Sequence, residues 1–316
     1  MTKRARLIAN PAARTLPSRD RLATAPAWLR LHGWETDSFV SNSSAHTTEL
    51  AREAADRGYD VVIAAGGDGT VNEIVNGLAH SNTALAVIPG GTGNVWTREM
   101  GTPWHPGSVA ATLERGRRVR IDLGLADERY FLLMASLGID SSVVAVVESG
   151  AKAALGRAAY ISRGLREAVR YRGVQAEITA GGETWHMPLF LALLGNTRSY
   201  GGLISISSAA SAMDGLLDLV TYRAGGPGKF AVDLLRTAMH RHIGLGGAQY
   251  QRVHEAYIHT DPPVPVQADG DIIGQTPMRF SVAPRALDVI LPATSRPPAL
   301  AEPKGPAQSP MGPRAT

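Results

Sequence analysis

The sequence predicts two structural units in tandem and a tail: an α/β domain over 1–124, a mainly antiparallel β-sandwich over 125–292, and an unstructured segment over 293–316. Two patterns carry that division. Up to about residue 120, continuous apolar runs alternate with stretches of helical spacing. Beyond Leu125, short β-rich runs follow one another between Gly, Pro and Asp. The first rhythm is that of βαβ units with strands covered on both faces, and the second that of hairpins.

In the first unit, Arg6-Leu7-Ile8-Ala9-Asn10 reads as a strand ending in a turn. Val61-Val62-Ile63-Ala64-Ala65 and Leu85-Ala86-Val87-Ile88-Pro89 read as buried strands, because their apolar character is unbroken. Helical spacing over Thr48 to Arg57 and Val71 to Ala79 supplies the covering layer. In the second unit, strands are expected at Tyr130 to Met134, Gln175 to Thr179, Pro188 to Leu194, Leu217 to Tyr222, Glu255 to His259 and Arg279 to Val282. The last of these is positioned to return to the first domain. Helices are expected over Ala151 to Arg172 and Lys229 to Ile243. From Pro292 onward Pro, Ala and Ser dominate and little can be buried, so the tail is expected to be disordered.

Composition narrows the chemistry. With 316 residues, 44% hydrophobic and 19% charged, the chain can build ample core. It has no cysteine, which excludes disulfides, thiolate metal sites and cysteine nucleophiles and suits a reducing compartment. The basic start at Lys3, Arg4 and Arg6 precedes only Leu7-Ile8-Ala9, too short for an export signal, and no run approaches the roughly 20 apolar residues of a membrane span. A cytoplasmic location follows as the expectation, with peripheral contact at the inner membrane face. A net charge of +4 suits anionic partners, while the low aromatic content of 6% argues against nucleic acid. His186, His240, His242, His254 and His259 show no metal-ligand spacing.

The strongest local signal is Gly66-Gly67-Asp68-Gly69-Thr70-Val71-Asn72-Glu73, between a buried strand and an amphipathic helix. Glycines there permit positive φ and close backbone approach. The amides and the helix N-terminus suit phosphate oxygens, and Thr70 can cap the helix and donate to a phosphate. Asp68 repels phosphate, so it is expected to hold Mg²⁺, a water or a hydroxyl beside it. A second loop, Pro89-Gly90-Gly91-Thr92-Gly93-Asn94, follows the next strand at the same end of the sheet, where open α/β folds bind ligands.

The string Gly66 to Glu73, continued by Ile74-Val75-Asn76-Gly77, resembles the signature of the diacylglycerol kinase catalytic domain family. That family includes bacterial diacylglycerol and phosphatidylglycerol kinases, and it shares the domain with sphingosine and ceramide kinases. Asn10-Pro11, Pro89 to Asn94, Gly195-Asn196 with Gly201-Gly202, Asp214-Gly215-Leu216-Leu217-Asp218 and Asp269-Gly270-Asp271 match in order, from Arg6 to Leu291. The resemblance implies a nucleotide-binding α/β domain of the NAD-kinase-like, phosphofructokinase-like type, a β-sandwich, and a cleft between them. It implies ATP and Mg²⁺, with ATP contacted by Gly66, Gly67, Asp68, Gly69, Thr70, Val71, Asn72, Gly91, Thr92, Gly93 and Asn94. Asn10 would lie near the adenine, and Ser41 would stand where the family often has a nucleotide-contacting threonine. Asp214, with backbone carbonyls near Ser211 and Leu216, matches a structural Mg²⁺ site. Departures are Ala12-Ala13-Arg14 in place of an early glycine, Val95 in place of an acid, and Asp271 in place of the family's catalytic glutamate.

Transfer of a phosphoryl group to an alcohol needs positioning, a cation, and a carboxylate that takes the hydroxyl proton. Asp271 is the expected base, with Asp68 and Asp269 as further catalytic carboxylates, and Asp140 falls where the family lines its cleft. Asp269-Gly270 also reads as a hairpin turn, and Asp214-Gly215 as a turn capped by its own side chain. The reading is an ATP-dependent kinase of a diacylglycerol-like or related lipid. The alternatives are an NAD kinase, which shares the Gly-Gly-Asp-Gly loop, and a non-catalytic lipid-binding regulator. Expected partners are the lipid, an anionic membrane surface, and a second copy of the chain in a homodimer; Lys152, Arg157, Arg163, Arg166, Arg170 and Arg172 read either as a solvated basic face on a packing helix or as the surface that docks on anionic lipid.

Overall fold

The computed structural model describes residues 3–11, 13, 26–27, 29–102, 106–142, 170–200, 204–205, 207, 210–238 and 248–301. Four parallel strands open the chain: β1 (Lys3–Ala9), β2 (Trp34–Val40), β3 (Val61–Gly66) and β4 (Ala84–Pro89). They lie in the order β4-β3-β1-β2, so the chain leaves β1 first to one side and later to the other. The carboxyl ends of β1 and β3 are therefore adjacent at a switch point, where a crevice opens in such sheets. Every residue of β3 and β4 is buried, as their unbroken apolar sequence requires.

Helix α1 (Ser44–Asp56) and helix α2 (Asp68–Leu78) cover one face of this sheet. Val71, Ile74, Val75 and Leu78 recur at helical spacing and are all buried in the core with Leu50, Ala51 and Ala54 of α1. Each such side chain contributes about 1.5–3 kcal/mol by leaving water. The helices touch at Gly77, where an added Cβ would sit 2.5 Å from the Thr48 carbonyl and 2.7 Å from the Ala51 methyl. Alanine is the better helix former by about 1 kcal/mol, but overpacking costs about 1–3 kcal/mol. Gly77→Ala is accordingly expected to lower the denaturant midpoint; a raised midpoint would mean that the helices can separate freely.

Next come α3 (Val95–Glu99), α4 (Pro106–Arg115), β5 (Arg117–Ala126), β6 (Arg129–Phe131) and β7 (Met134–Gly138). The second half is a largely antiparallel sandwich of β8 (Val174–Ala180), β9 (Glu183–Gly195), a short pair β10 (Ser199–Tyr200) and β11 (Ile204–Ser205), and β12 (Leu217–Arg223). It continues through α5 (Pro227–Ala238), β13 (Ala248–Val253), β14 (Glu255–Asp261), β15 (Pro265–Ala268), β16 (Asp271–Gln275) and β17 (Met278–Leu291). A core of Phe131, Ile178, Leu189, Leu194, Leu219, Ile258, Val266 and Phe280 holds it together. The 14-residue β17 joins the halves: it pairs with β14 and β5, then reaches β4 in parallel at Val289 and Leu85.

Three expectations need correction. Tyr130 to Met134 is not one strand; it breaks at Leu132–Leu133, whose amides turn to the Asp269 carboxylate instead of a neighbouring strand. The tail is structured as far as Ala301: Pro298–Leu300 forms a 3₁₀ turn, Ala299 is buried in the first core, and its carbonyl accepts from the Ala212 amide. The helix expected to begin at Lys229 begins at Pro227, a favourable first-turn residue. Its continuation beyond 238, the helix of 151–169, and 302–316 lie outside the described residues.

Candidate active site

Two glycine loops meet at the carboxyl ends of β3 and β4. The Gly90 amide donates to the Gly66 carbonyl at 2.8 Å. At Gly91 an added Cβ would lie 2.6 Å from the Gly67 Cα, and at Gly67 one would lie 3.0 Å from the Gly91 Cα. The backbones thus pass each other with no room for a side chain. This replaces positive φ as the reason for glycine at Gly67, whose φ is −89° and which caps α2 with no side-chain bond. Thr70 is likewise not the cap; it lies within the first turn, where its hydroxyl accepts from the Asn10 side chain at 3.0 Å. The first intrahelical bond runs from the Val71 amide to the Gly67 carbonyl, so the amides ahead of it have no helical acceptor and face the crevice end of α2. The Val71 side chain packs into the core, and its amide is taken by the Gly67 carbonyl.

Asp68 ties the loops together. Its carboxylate accepts from the Trp96 amide at 3.3 Å, and lies 3.0 Å from where a Cβ on Gly93 would be. Burial pushes the Asp68 carboxyl up, and the amides of Trp96, Val95 and Asn94 pull it back. Asn94, in the left-handed region at φ +46°, locks its own loop by exchanging two bonds with the Gly91 backbone. Thr92 and Gly93 are the exposed members of that loop. Asn10 and Ser41 end β1 and β2 at the same rim; Ser41 is buried, with its amide and hydroxyl on the Ala9 carbonyl.

The rest of the long glycine-loop string does structural work. Asn76 exchanges two bonds with the Tyr130 backbone, donating from Nδ2 and accepting at Oδ1. Glu73 receives Arg129 through both guanidinium arms and Thr48 through its hydroxyl. Asn72, expected to contact ATP, is buried; its Oδ1 accepts from Arg129 and its Nδ2 donates to Asp269 at 2.6 Å.

Asp269 and Gly270, at φ +49° and +96°, form the two-residue turn between β15 and β16. The Asp269 carboxylate also accepts from the amides of Leu132, Leu133 and Met134 at 2.6, 2.9 and 3.0 Å. Burial pushes its carboxyl up to about 6, while the amide donors pull it back toward the ionised form. With every oxygen engaged, Asp269 is an anchor for the hairpin and not a group that can take a substrate proton. The anchored turn sets half-buried Asp271 at the start of β16, with its Oδ2 3.8 Å from where a Cβ on Gly69 would be. A carboxylate from the sandwich half therefore lies against the first turn of α2.

The expected metal site does not fit a resident ion. Asp214 accepts from the Leu216 amide at Oδ1 and pairs with the Arg252 guanidinium at Oδ2, and the Ser211 hydroxyl donates to the Ala301 carbonyl. Arg252 also lies 3.7 Å from buried Asp218, whose carboxyl burial pushes up to about 7 against the Tyr250 hydroxyl and Arg252. A guanidinium already supplies the cation these carboxylates need. Arg252→Ala should therefore cost about 3–5 kcal/mol in chemical denaturation, since it strands two buried carboxylates; a loss within error would show that the pair is dispensable.

A polar groove of 920 Å³ opens elsewhere, lined by Arg52, Tyr59, Asn76, His80, Arg118 and Asp288. It lies at the C-terminal end of α2, where the helix dipole disfavours phosphate.

Residues 4–126 match the diacylglycerol kinase catalytic domain, and residues 134–291 match the YegS C-terminal NAD kinase beta sandwich-like domain. The diacylglycerol kinase of Bacillus subtilis is 31% identical over 293 residues, covering 92% of this chain and 97% of that protein. A "probable lipid kinase YegS-like" protein of Pseudomonas putida is 32% identical over 269 residues, covering 84% and 89%. A structure from Bacillus anthracis, assigned as a diacylglycerol kinase, superposes with a TM-score of 0.76 at 24% identity, covering 93% and 99%.

Proposed function

The chain belongs to the diacylglycerol kinase family and is a phosphotransferase acting on a lipid hydroxyl, and on that premise we propose that it uses ATP to phosphorylate a diacylglycerol-like lipid in the crevice between the glycine loops and the Asp269–Asp271 hairpin. The observation that carries this reading is the placement of the Asp271 carboxylate opposite Gly69. Donor phosphates and acceptor proton would otherwise have no common meeting point.

The amides of Gly67, Gly69 and Thr70 bind the ATP phosphates, the exposed Thr92–Gly93 edge closes over them, and Asp68 holds that edge in place through the α3 amides. Asn10 and Ser41 line the nucleoside side of the rim. Asp271 accepts the proton of the lipid hydroxyl as that oxygen bonds to the γ-phosphorus and the bond to the β-phosphate oxygen breaks. A Mg²⁺ ion bound with the triphosphate would supply charge neutralisation, and Asp271 and Asp68 are the carboxylates that would hold it.

No described helix is long and apolar enough to span a membrane. The lipid is met at the bilayer surface, and a homodimer remains part of the proposal. The decisive assay compares ATP consumption with diacylglycerol, phosphatidylglycerol, a sphingoid base, ceramide and NAD as acceptors. Turnover with a lipid supports the reading; turnover with NAD alone would replace it by the NAD kinase alternative.

A further inference from the structure

We propose that Gln267 is a positioning residue for phosphoryl transfer, holding the turn that presents Asp271 and tying it to Asp140. The inference rests on the reading of Asp271 as the base. Gln267 lies on β15 directly opposite Ser136 of β7, at a point where the β15–β16 register shifts. It is 1% exposed and Ser136 is fully buried. A buried primary amide costs about 2–7 kcal/mol unless its polar atoms find partners. Here they do: Oε1 accepts from the Gly270 amide at 2.7 Å, and Nε2 donates to Ser136 Oγ at 2.7 Å and to Asp140 Oδ2 at 3.1 Å.

The orientation of that amide is forced, because the Gly270 N–H can only donate, so Oε1 must face it and Nε2 must face Ser136 and Asp140. The Ser136 hydroxyl then donates to Asp140 Oδ2 at 2.5 Å, which completes a chain of one polarity from Asp140 to Gly270. Asp140 is half-buried, so the chain begins at a partly exposed carboxylate and ends one residue before Asp271. Asp269 anchors the turn from the α2 side through Asn72. Gln267 anchors it from the other side. An apolar residue at 267 would leave the Gly270 amide without its acceptor and loosen the turn that places Asp271.

The test is a double-mutant cycle between Gln267→Met, which keeps length and apolar bulk, and Asp271→Asn, read as steady-state kinetics with diacylglycerol vesicles. Alone, Gln267→Met is expected to lower kcat by about 10–100-fold, the scale of a displaced reacting group, with KM for ATP unchanged. In the Asp271→Asn background it should cost nothing further, because the group it positions is already disabled. A merely structural role would lower folded fraction and ATP binding equally in both backgrounds. If Gln267→Met does not fold, Gln267→Leu serves in its place, since it too removes the acceptor for Gly270. The same factor lost in both backgrounds, or wild-type kcat in a folded variant, overturns the inference alone. Near-normal turnover of Asp271→Asn by itself overturns the base assignment and the inference with it.

Discussion

Gly67→Val is expected to abolish nucleotide binding in calorimetry while the protein still melts cooperatively. The cause is contact between two backbones. A Cβ at this position would lie 3.0 Å from the Gly91 Cα, and the reciprocal approach is tighter still at 2.6 Å. A main-chain atom cannot swing aside as a long side chain can, so valine must push the β3 and β4 loops apart. That separation pulls Gly90 from the Gly66 carbonyl and moves the α2 amides off the phosphate path. The strands beneath are buried and paired along their length, which confines the damage to the rim. Unchanged affinity in a folded Gly67→Val protein would remove the phosphates from these loops.

Asp271→Asn is the second large effect. The amide keeps the size of the carboxylate but cannot accept a proton at neutral pH. Turnover is expected to fall by about 10²-fold or more, in the range for loss of a general base, with ATP affinity unchanged. Asp271→Glu should retain activity, since the resemblance implies a glutamate at this position and the longer carboxylate keeps the same chemistry. Asp269→Asn should behave differently: it exchanges one oxygen that accepts amide bonds for a donor, so melting temperature and turnover fall together. Turnover near wild type in a folded Asp271→Asn enzyme would direct the search for the base to Asp68. There the carboxylate would first have to release the α3 amides.

The sequence disclosed the parts that depend on near neighbours. Two glycine loops after two apolar runs are local patterns, and their convergence follows from parallel strands in one sheet. The division of labour inside the long string was not legible. Gly66 to Thr70 faces the crevice, whereas Asn72, Glu73 and Asn76 bind Arg129, Tyr130 and Asp269, partners 54 to 197 residues away. No local signal separates an asparagine that meets a ligand from one that meets a distant turn. The same limit applied to Asp214, whose neighbour Arg252 arrives on a later strand, and to Gln267, whose partners lie on β7 and in the turn. The break at Leu132–Leu133 was hidden for a related reason: apolar side chains there suit a strand, and only the distant Asp269 carboxylate draws the amides out of register. Arg129 carried one available hint, as a lone cation between β-rich runs, but its mate Glu73 could not be picked from the acids in the chain.

The most direct measurement of the central claim follows the γ-phosphate itself. Wild-type and Asp271→Asn proteins are incubated with γ-labelled ATP and diacylglycerol vesicles, and label is counted in the chloroform phase. The expected result is wild-type label in a lipid phosphate monoester, nearly absent from the variant, with both proteins binding ATP equally. Label released only as inorganic phosphate, or recovered only in a water-soluble product, would contradict phosphoryl transfer to a lipid hydroxyl in this crevice.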